Sequence, residues 1–241
     1  MHINKVDIDS KIFGKNFLEI RDFSDDVDFK EFEKGYIKEY NPYYVSCKIP
    51  LENISEIQNI GHHGFEFIEF QLREKANLRK LFPVFKPYKM EPVTTNEDLD
   101  AVLEIAATTF EHDRFSVDPL MEKTFSSERY KEYVLKSHRA DDEFLYKLCN
   151  TETGEILGFK THKIINGNEA LMFLGGVANK YKKSPVPVIS NYLELNELFL
   201  KGIKKVTTHI SGGNYGVLNL EVKEFGYKVV SGFVVLRKIY N

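Results

Sequence analysis

The chain has 241 residues, 42% of them hydrophobic and 29% charged, so it can bury a sizeable core and keep a solvated surface. Its 33 Lys and Arg against 36 Asp and Glu give a net charge of −3, which argues against a protein whose main partner is nucleic acid or an anionic membrane. No apolar run approaches the ~18 residues that a membrane span needs, and residues 1–7 lack the pattern of a signal peptide. Cys47 and Cys149 lie far apart in apolar, strand-like runs, which predicts buried free thiols and a cytoplasmic protein.

The first third of the chain alternates strand and helix patterns. The predicted elements are, in order, strand and turn over 5–23, a helix over 25–40, a strand over 43–49, a short helix over 51–60 and a strand over 65–72. They form a βαβαβ unit close to the lower size limit for an independent core. Prolines 83, 87 and 92 then mark a boundary, which predicts a small N-terminal α/β domain over 1–79 and a second domain over 80–241.

The second part follows the order β-α-α-β-β-β-α-β-α-β. Its helices are predicted over 94–110, 127–139, 187–202 and 214–225, and its strands over 84–89, 143–149, 156–165, 169–178, 204–210 and 227–239. Two turns rich in Asn, Gly and Thr join the three consecutive strands as hairpins, so the sheet is antiparallel there. This order predicts a mixed, mostly antiparallel sheet flanked by helices, of the α/β (α+β) class.

Three short motifs are candidates for a binding function. Gly175 and Gly176 interrupt an apolar strand, which is tolerated where a strand bulges or where a ligand comes close. Residues 180–185 gather three lysines before a helix, where the helix dipole also favours an anion. Residues 211–216 lie between a strand and a helix, and either a phosphate contact or a plain turn explains them. A solvated basic turn explains the lysines equally well.

Residues 111–114 bring an acid, a histidine and a guanidinium into one loop, which suits either acid–base chemistry or an ordinary charged surface. The remaining histidines have no cysteine or carboxylate at ligand spacing, so no metal site is predicted.

The element order, the strand 170–183 and the ending Asn214 with Phe225-Gly226-Tyr227 resemble the GCN5-related N-acetyltransferase (GNAT) family. The first half of the chain extends this resemblance. With it, nearly the whole chain resembles the TDP-fucosamine acetyltransferases, which acetylate the amine of a nucleotide-linked deoxysugar. That resemblance rests on short motifs, namely Cys47-Lys48-Ile49-Pro50, Ile60-Gly61-His62-His63-Gly64-Phe65-Glu66-Phe67, Thr109-Phe110 and Asp113-Arg114-Phe115.

The resemblance implies a cytoplasmic N-acetyltransferase that uses acetyl-CoA and no metal, acts on a small-molecule amine such as a nucleotide-linked amino sugar, and forms a possible homodimer. It implies cofactor contacts from Phe173, Leu174, Gly175, Gly176, Val177, Lys182, Lys183, Ser184 and Asn214. It implies substrate contacts from Asp113, Arg114 and Phe115. Glu111, His112 or Asp113 would take the proton of the amine.

Two positions depart from the family pattern. The pyrophosphate loop has no glycine, so Lys182 and Lys183 would supply charge in place of backbone N–H groups. The acid that protonates the thiolate is commonly a tyrosine, whereas the counted position holds Glu221; Tyr181, Tyr192 and Tyr215 are the alternatives. Two hypotheses therefore stay open, an active acetyltransferase and a catalytically silent module of the same fold. For the enzyme, an amino acid, a polyamine or a protein lysine is an alternative acceptor.

Overall fold

The computed structural model describes residues 1–23 and 27–240, with Lys123 described only by its backbone. The predicted helix start at residues 25 and 26, and the last residue of the predicted second domain, lie outside these residues. The strands are β1 His2–Lys5, β2 Asn16–Arg21, β3 Pro42–Pro50, β4 Glu66–Asn77, β5 Tyr88–Pro92, β6 Glu143–Asn150, β7 Ile156–Asn166, β8 Glu169–Val177, β9 Lys205–Ser211 and β10 Lys228–Ile239. The helices are α1 Asp7–Phe13, α2 Phe29–Tyr40, α3 Ile54–His62, α4 Asn96–Thr109, α5 Arg114–Val117, α6 Lys123–Arg139, α7 Val186–Leu200 and α8 Tyr215–Glu224.

The prediction of strand and turn over 5–23 was wrong in part, because α1 forms between two strands there. This helix has only seven residues, too few for its apolar spacing to be recognised. Asp7 and Asp9 lie in its first turn, and it ends at Gly14, whose φ of 64° suits a left-handed cap. Two further boundaries differ: α5 forms inside the predicted polar loop, and α6 begins four residues earlier than predicted.

All ten strands form one mixed sheet in the order β1-β2-β3-β10-β4-β9-β8-β7-β6-β5. This confirms the predicted α/β class and the antiparallel run β6-β7-β8. The last strand, β10, pairs with β3 on one side and β4 on the other, and β4 pairs in turn with β9. Backbone hydrogen bonds therefore cross the predicted division near residue 79, which remains a prediction about the units of the chain.

Helices cover both faces of the sheet. One face carries α2 and α3 over β3 and β10, and α7 and α8 over β8 and β9. The other carries α4 and α6 over β6 and β7, and α1 and α5 beside β2 and β3. Both cysteines are buried and free, as predicted.

The sheet opens between β8 and β9, its two neighbouring central strands. They run parallel but pair only at Glu169 with Lys205, Ala170 with Val206 and Leu171 with Thr207. Beyond that point β8 stays with β7 and β9 stays with β4, so the strands diverge. We call the resulting opening the gap. It exposes backbone of β8 along its second half, where a sheet would normally place the next strand.

Candidate active site

The gap is bordered by an irregular stretch of β8. Thr161 of β7 lies opposite Leu174 and the next residue, His162, lies opposite Met172, so Phe173 is an extra, bulged residue. The hydroxyl of Thr161 lies 3.0 Å from both the amide nitrogen and the carbonyl oxygen of Leu174. Of the five residues predicted to contact the cofactor here, Leu174 therefore already directs its amide toward β7.

The paired glycines make room for the chain's own side chains. A Cβ atom at Gly175 would lie 2.7 Å from Cδ of Lys160, and one at Gly176 would overlap the side chain of Thr109. Lys160 crosses β8 over Gly175 on the α7 side, and Thr109 packs on Gly176 from α4. The glycines thus let one side chain from each face reach the border of the gap.

On the face of the sheet that α7 and α8 cover, a cluster of buried polar side chains lies at the gap. Its centre is a pair of glutamates that we call the acid pair. Glu74 of β4 and Glu221 of α8 form the pair, at 0% and 7% exposure. Lys160 donates to Asn191 at 2.7 Å and lies 3.5 Å from Glu194, which also lies 3.4 Å from Nδ1 of His162. Since Glu74 sits beyond β9 and Lys160 beyond β8, the cluster spans the gap.

Glu221 is the proton carrier of this pair. Burial raises its pKa to about 9, and the hydrogen bond with Glu74 and the negative charges of Glu74 and Glu194 add to the effect. Burial also raises the pKa of Glu74, whereas the hydrogen bond from Glu221 lowers it. The shared proton therefore lies on Glu221 at neutral pH. Among the described residues, neither Oε2 of Glu221 nor either carboxyl oxygen of Glu74 has a donor other than the partner carboxyl.

A polar cavity of about 240 Å³ lies on the opposite face, the face of α4 and α6. Its lining residues are Glu19, Lys48, Glu69, Gln71, Asp113, Arg114, Arg129, Tyr130 and Val235. Tyr130 belongs to the core over β7, with Leu174 of β8 packed against it, whereas Glu69 and Gln71 come from β4. We call this space the acceptor cavity. Its lining strands are β2, β3, β10 and β4, and β4 pairs with β9, which borders the gap.

Three cations border the acceptor cavity, and their partners differ. Arg129 is held by Asp9 at 2.7 Å, and burial lowers the pKa of Lys48, whose ammonium donates to Gln71. Arg114 has no ion pair or hydrogen bond with any described residue and stacks against Phe115 at 4.9 Å. Arg114 is therefore the cation of this cavity that is available to an anion.

One further group shows how positive this face is. His209 lies opposite Arg73 across β9 and β4, and its pKa is lowered to about 4 by partial burial and by the nearby charges of Lys48 and Arg73. The buried Glu69, only 8% exposed, has its pKa raised by burial. Glu69 accepts from Ser211, while its Oε2 atom has no partner.

The residues of the loop predicted to hold the base lie in different environments. Glu111 is exposed and bonded to Lys182, which lowers the pKa of its carboxyl, and His112 is exposed as well. Asp113 borders the cavity, but its oxygens accept from the Phe115 amide and from the hydroxyls of Ser116 and Ser126. Phe115 is 1% exposed and packs in an aromatic core instead of lining the cavity.

The basic turn before α7 is largely neutralised within the chain. Lys180 pairs with Glu155 at 2.6 Å and Lys182 pairs with Glu111, while Lys183 is exposed and has no ion pair with a described residue. The expected repulsion among three lysines is therefore relieved by carboxylates. Ser184 accepts from the Val186 amide at 3.2 Å and donates to Tyr181, so its hydroxyl serves the helix start.

The positions proposed at the other helix have structural partners too. Asn214 caps α8 by accepting from the Val217 amide at 3.3 Å, and Tyr215 is 68% exposed. Tyr181 donates to Glu155 at 2.8 Å, and Tyr192 donates to Glu224. None of these three tyrosines belongs to the buried cluster around Glu221.

Within the part of the chain that the structure describes, no group of three or more His, Cys, Asp or Glu could hold a metal ion. Its helices are also too short or too polar to cross a membrane.

No protein-family model matches the chain, and no curated protein matches it. Solved structures do. A GCN5-related N-acetyltransferase from Sphaerobacter thermophilus aligns over 98% of this chain and 76% of its own, at 12% identity and a TM-score of 0.69. The chain has the GNAT fold. A tandem GNAT protein of the clavulanic acid pathway matches with a TM-score of 0.64 and 10% identity, over 92% of this chain and 75% of its own.

A third similar structure is a GCN5-related glucosamine N-acetyltransferase region of a fungal multi-domain β-N-acetylglucosaminidase. It covers 98% of this chain and 31% of that chain, with a TM-score of 0.64 and 10% identity. At these identities the likeness establishes the fold, and the chemistry must be argued from this chain's own residues.

The sequence did not single out several groups around the gap, namely Glu69, Glu74, Lys160, Tyr130 and His209. They come from strands and helices remote from the predicted motifs. The one local signal is the run Glu69, Gln71, Arg73, which places polar residues on one face of β4 and is typical of either a solvent face or a polar cavity.

Proposed function

We propose that the protein is an acetyl-CoA-dependent N-acetyltransferase that transfers the acetyl group to an amine across the gap. The observation that carries the proposal is the presence of two chemically complementary sites on opposite faces of β4, the strand that pairs with β9 beside the gap. The acceptor cavity offers a free cation and an unpartnered carboxyl oxygen, and the other face offers a carboxylic acid that is protonated at neutral pH. This is the arrangement that acid–base acyl transfer needs.

The residues present fit an acyl thioester in the gap. The second half of β8 lacks a neighbouring strand there, and the orphaned oxygen of Glu221 belongs to the cluster that spans the same opening. Lys183, together with Lys182 once released from Glu111, would meet the phosphates of the cofactor. These side chains would replace backbone N–H donors to the phosphates. The Val186 amide already donates to Ser184, and residue 187 is a proline without an N–H.

When bound, acetyl-CoA supplies an acetyl thioester whose departing sulfur carries a negative charge. Glu221 would donate its proton to that sulfur, and Glu74 would stabilise the proton on Glu221 beforehand. A carboxylic acid with a pKa near 9 suits this task, since it keeps its proton at neutral pH and releases it to a group of comparable basicity.

The acceptor is proposed to be a small amine that also carries an anionic group, for example a nucleotide-linked amino sugar. Arg114 is free to bind a phosphate or carboxylate, and Lys48 and Arg129 add positive charge to the same cavity. The cavity volume of about 240 Å³ is below that of a typical ligand pocket, so it would hold the reacting part of the acceptor and leave the rest outside. One similar structure is named a glucosamine N-acetyltransferase region, which agrees with an amino-sugar acceptor.

Incubation with acetyl-CoA and a panel of amines tests the proposal. The panel should contain nucleotide-linked amino sugars, free amino sugars and uncharged alkyl amines, with thiol release and acetylated product both measured. We expect amine-dependent thiol release that is greatest for anionic amino sugars. No acetyl-CoA binding by calorimetry would contradict the proposal.

A catalytically silent module of the same fold is the second candidate. It is favoured by the start of α7, where Pro187 has no N–H and the Val186 amide is already bonded. Saturable acetyl-CoA binding without transfer to any amine of the panel would support it over the enzyme.

A further inference from the structure

Glu69 is the one carboxylate of the acceptor cavity that combines deep burial with an unpartnered oxygen. Its side chain comes from β4, a strand of the N-terminal third that lies between β9 and β10. The residue is 8% exposed, and its Oε2 atom has no hydrogen-bond partner in the described structure. A buried carboxyl oxygen without a donor is costly to maintain, so it points to a group that the site receives from outside.

The other carboxylates of the cavity are already engaged. Asp113 accepts three hydrogen bonds as the cap of α5, and Glu19 pairs with Arg21 at 2.7 Å. Outside the cavity, Glu111 is bonded to Lys182. Glu69 is thus the cavity carboxylate that remains free to accept a proton.

The groups around Glu69 act on its pKa in different directions. A hydrogen bond from Ser211, at the end of β9, lowers it. Arg114 and Arg129 attract its negative charge, and Asp113 repels it. Burial outweighs the two cations and raises the pKa of Glu69 above the usual value of a glutamate, which moves it toward the range of an effective base.

We propose that Glu69 is the general base of the reaction: it accepts the proton of the acceptor ammonium, so that the neutral amine can attack the thioester. This inference rests on the proposed function. The amine nitrogen forms the bond to the acetyl carbon, the carbon–sulfur bond breaks, and its electron pair leaves with sulfur. The nitrogen loses two protons in all: Glu69 takes the first from the ammonium and releases it to water through the open cavity, then takes the second from the nitrogen after the attack. The proton gained by sulfur comes from Glu221.

Two features make this assignment specific to the chain. The base comes from the N-terminal third and the acid from the C-terminal half, so the reaction needs both parts of the single sheet. The base and the cation that binds the anionic part of the acceptor also border the same cavity. A zwitterionic acceptor would therefore place its anion on Arg114 and its ammonium on Glu69.

Glu69→Gln tests the inference, with Glu128→Gln as the matched control, because Glu128 lies on the exposed surface of α6. We expect kcat of Glu69→Gln to fall about 10²-fold or more, and the acidic limb of its pH profile to disappear. The unfolding transition should stay cooperative, and Glu69→Asp should restore part of the rate together with the limb. An unchanged pH profile in Glu69→Gln would overturn the assignment.

A second measurement does not require turnover. The protein labelled with ¹³C at the glutamate carboxyl carbons is titrated by NMR without acetyl-CoA, and the signal lost in Glu69→Gln identifies Glu69. We expect Glu69 to titrate above the range of the exposed glutamates. Titration with the exposed glutamates would contradict the inference even if the protein acetylates amines, whereas a raised pKa without any acetyl transfer would refute the proposed function alone.

Discussion

The two faces of the sheet beside the gap each hold a buried glutamate whose pKa is raised by burial, but the charges around the two glutamates differ. On the α7 and α8 face, Glu221 lies against a second carboxyl, and burial with that pairing keeps it protonated. On the α4 and α6 face, Glu69 lies between Arg114 and Arg129, whose charges oppose the effect of burial. Burial raises both pKa values, and the neighbouring charges decide how far each one rises: the second carboxyl adds to the effect on Glu221, and the two arginines oppose it at Glu69.

Replacing Glu221 by Gln should separate the two faces most strongly. An amide cannot donate a proton to sulfur, so kcat should fall about 10²-fold or more. The folded pKa of Glu221, about 9, lies above the unfolded value near 4.5, so the folded state holds an extra proton between these pH values. The unfolding free energy of the natural protein should therefore fall as pH rises through this window.

Glu221→Gln has no titrating group at position 221, so this part of the pH dependence should disappear. The variant should therefore be more stable than the natural protein at pH 8. Urea unfolding at pH 5 and pH 8 measures the effect, with the exposed turn residue Glu152→Gln as the control. Equal slopes of stability against pH in all three proteins would show that the acid pair does not hold a proton.

Gly176→Ala should disturb β8, the strand that borders the gap and is common to both faces. The added Cβ would overlap Thr109, and overpacking of this kind costs about 1–3 kcal/mol of unfolding free energy. Thr109→Ala in the same chain removes the Cγ2 and Oγ1 contacts and should recover part of the loss. Gly61→Ala, where no atom lies within 4 Å of the new Cβ, should be close to neutral in the same denaturant titration.

Arg114→Gln should affect only the cavity face. Loss of a free guanidinium at an anion site weakens binding by about tenfold, and the effect should shrink at high salt. Binding of inorganic pyrophosphate, measured by calorimetry at low and high ionic strength, gives the comparison. Pyrophosphate affinity that is equal in Arg114→Gln and the natural protein would remove Arg114 from the acceptor site.

Glu111→Gln is expected to have the smallest effect. It frees Lys182 from an exposed ion pair, which contributes no more than about 1 kcal/mol to stability. The released ammonium should raise acetyl-CoA affinity a few-fold at low salt. Weaker acetyl-CoA binding in this variant would show that Lys182 does not meet the cofactor phosphates.

The sequence predicted the fold well. On each face of the sheet it predicted some of the candidate residues and missed others. Apolar spacing identified six of the eight helices found among the described residues, because helical and strand periods are local properties; α1 and α5 were missed because they are too short to repeat. Glu221 was named by counting seven residues from Asn214 on the family pattern, while counting back from Gly226 gives Val222; its role in catalysis stays a prediction.

Glu69 and Glu74 could not be found this way. Both lie on β4, and their burial depends on β10 pairing with that strand from more than 150 residues further along the chain. An alternation of polar and apolar residues cannot reveal whether the polar face meets water or a cavity. For the same reason, the proton acceptor was sought in the charged loop 111–114, where Glu111 and His112 lie at the surface.

In the proposed reaction, acetyl-CoA occupies the gap between β8 and β9. Hydrogen exchange of the β8 amides, measured with and without acetyl-CoA, tests this position, with the hairpin strand β6 as an internal reference. We expect slower exchange over residues 172–176 when acetyl-CoA is present, and no change in β6. Acetyl-CoA binding that leaves residues 172–176 unaffected would contradict this position.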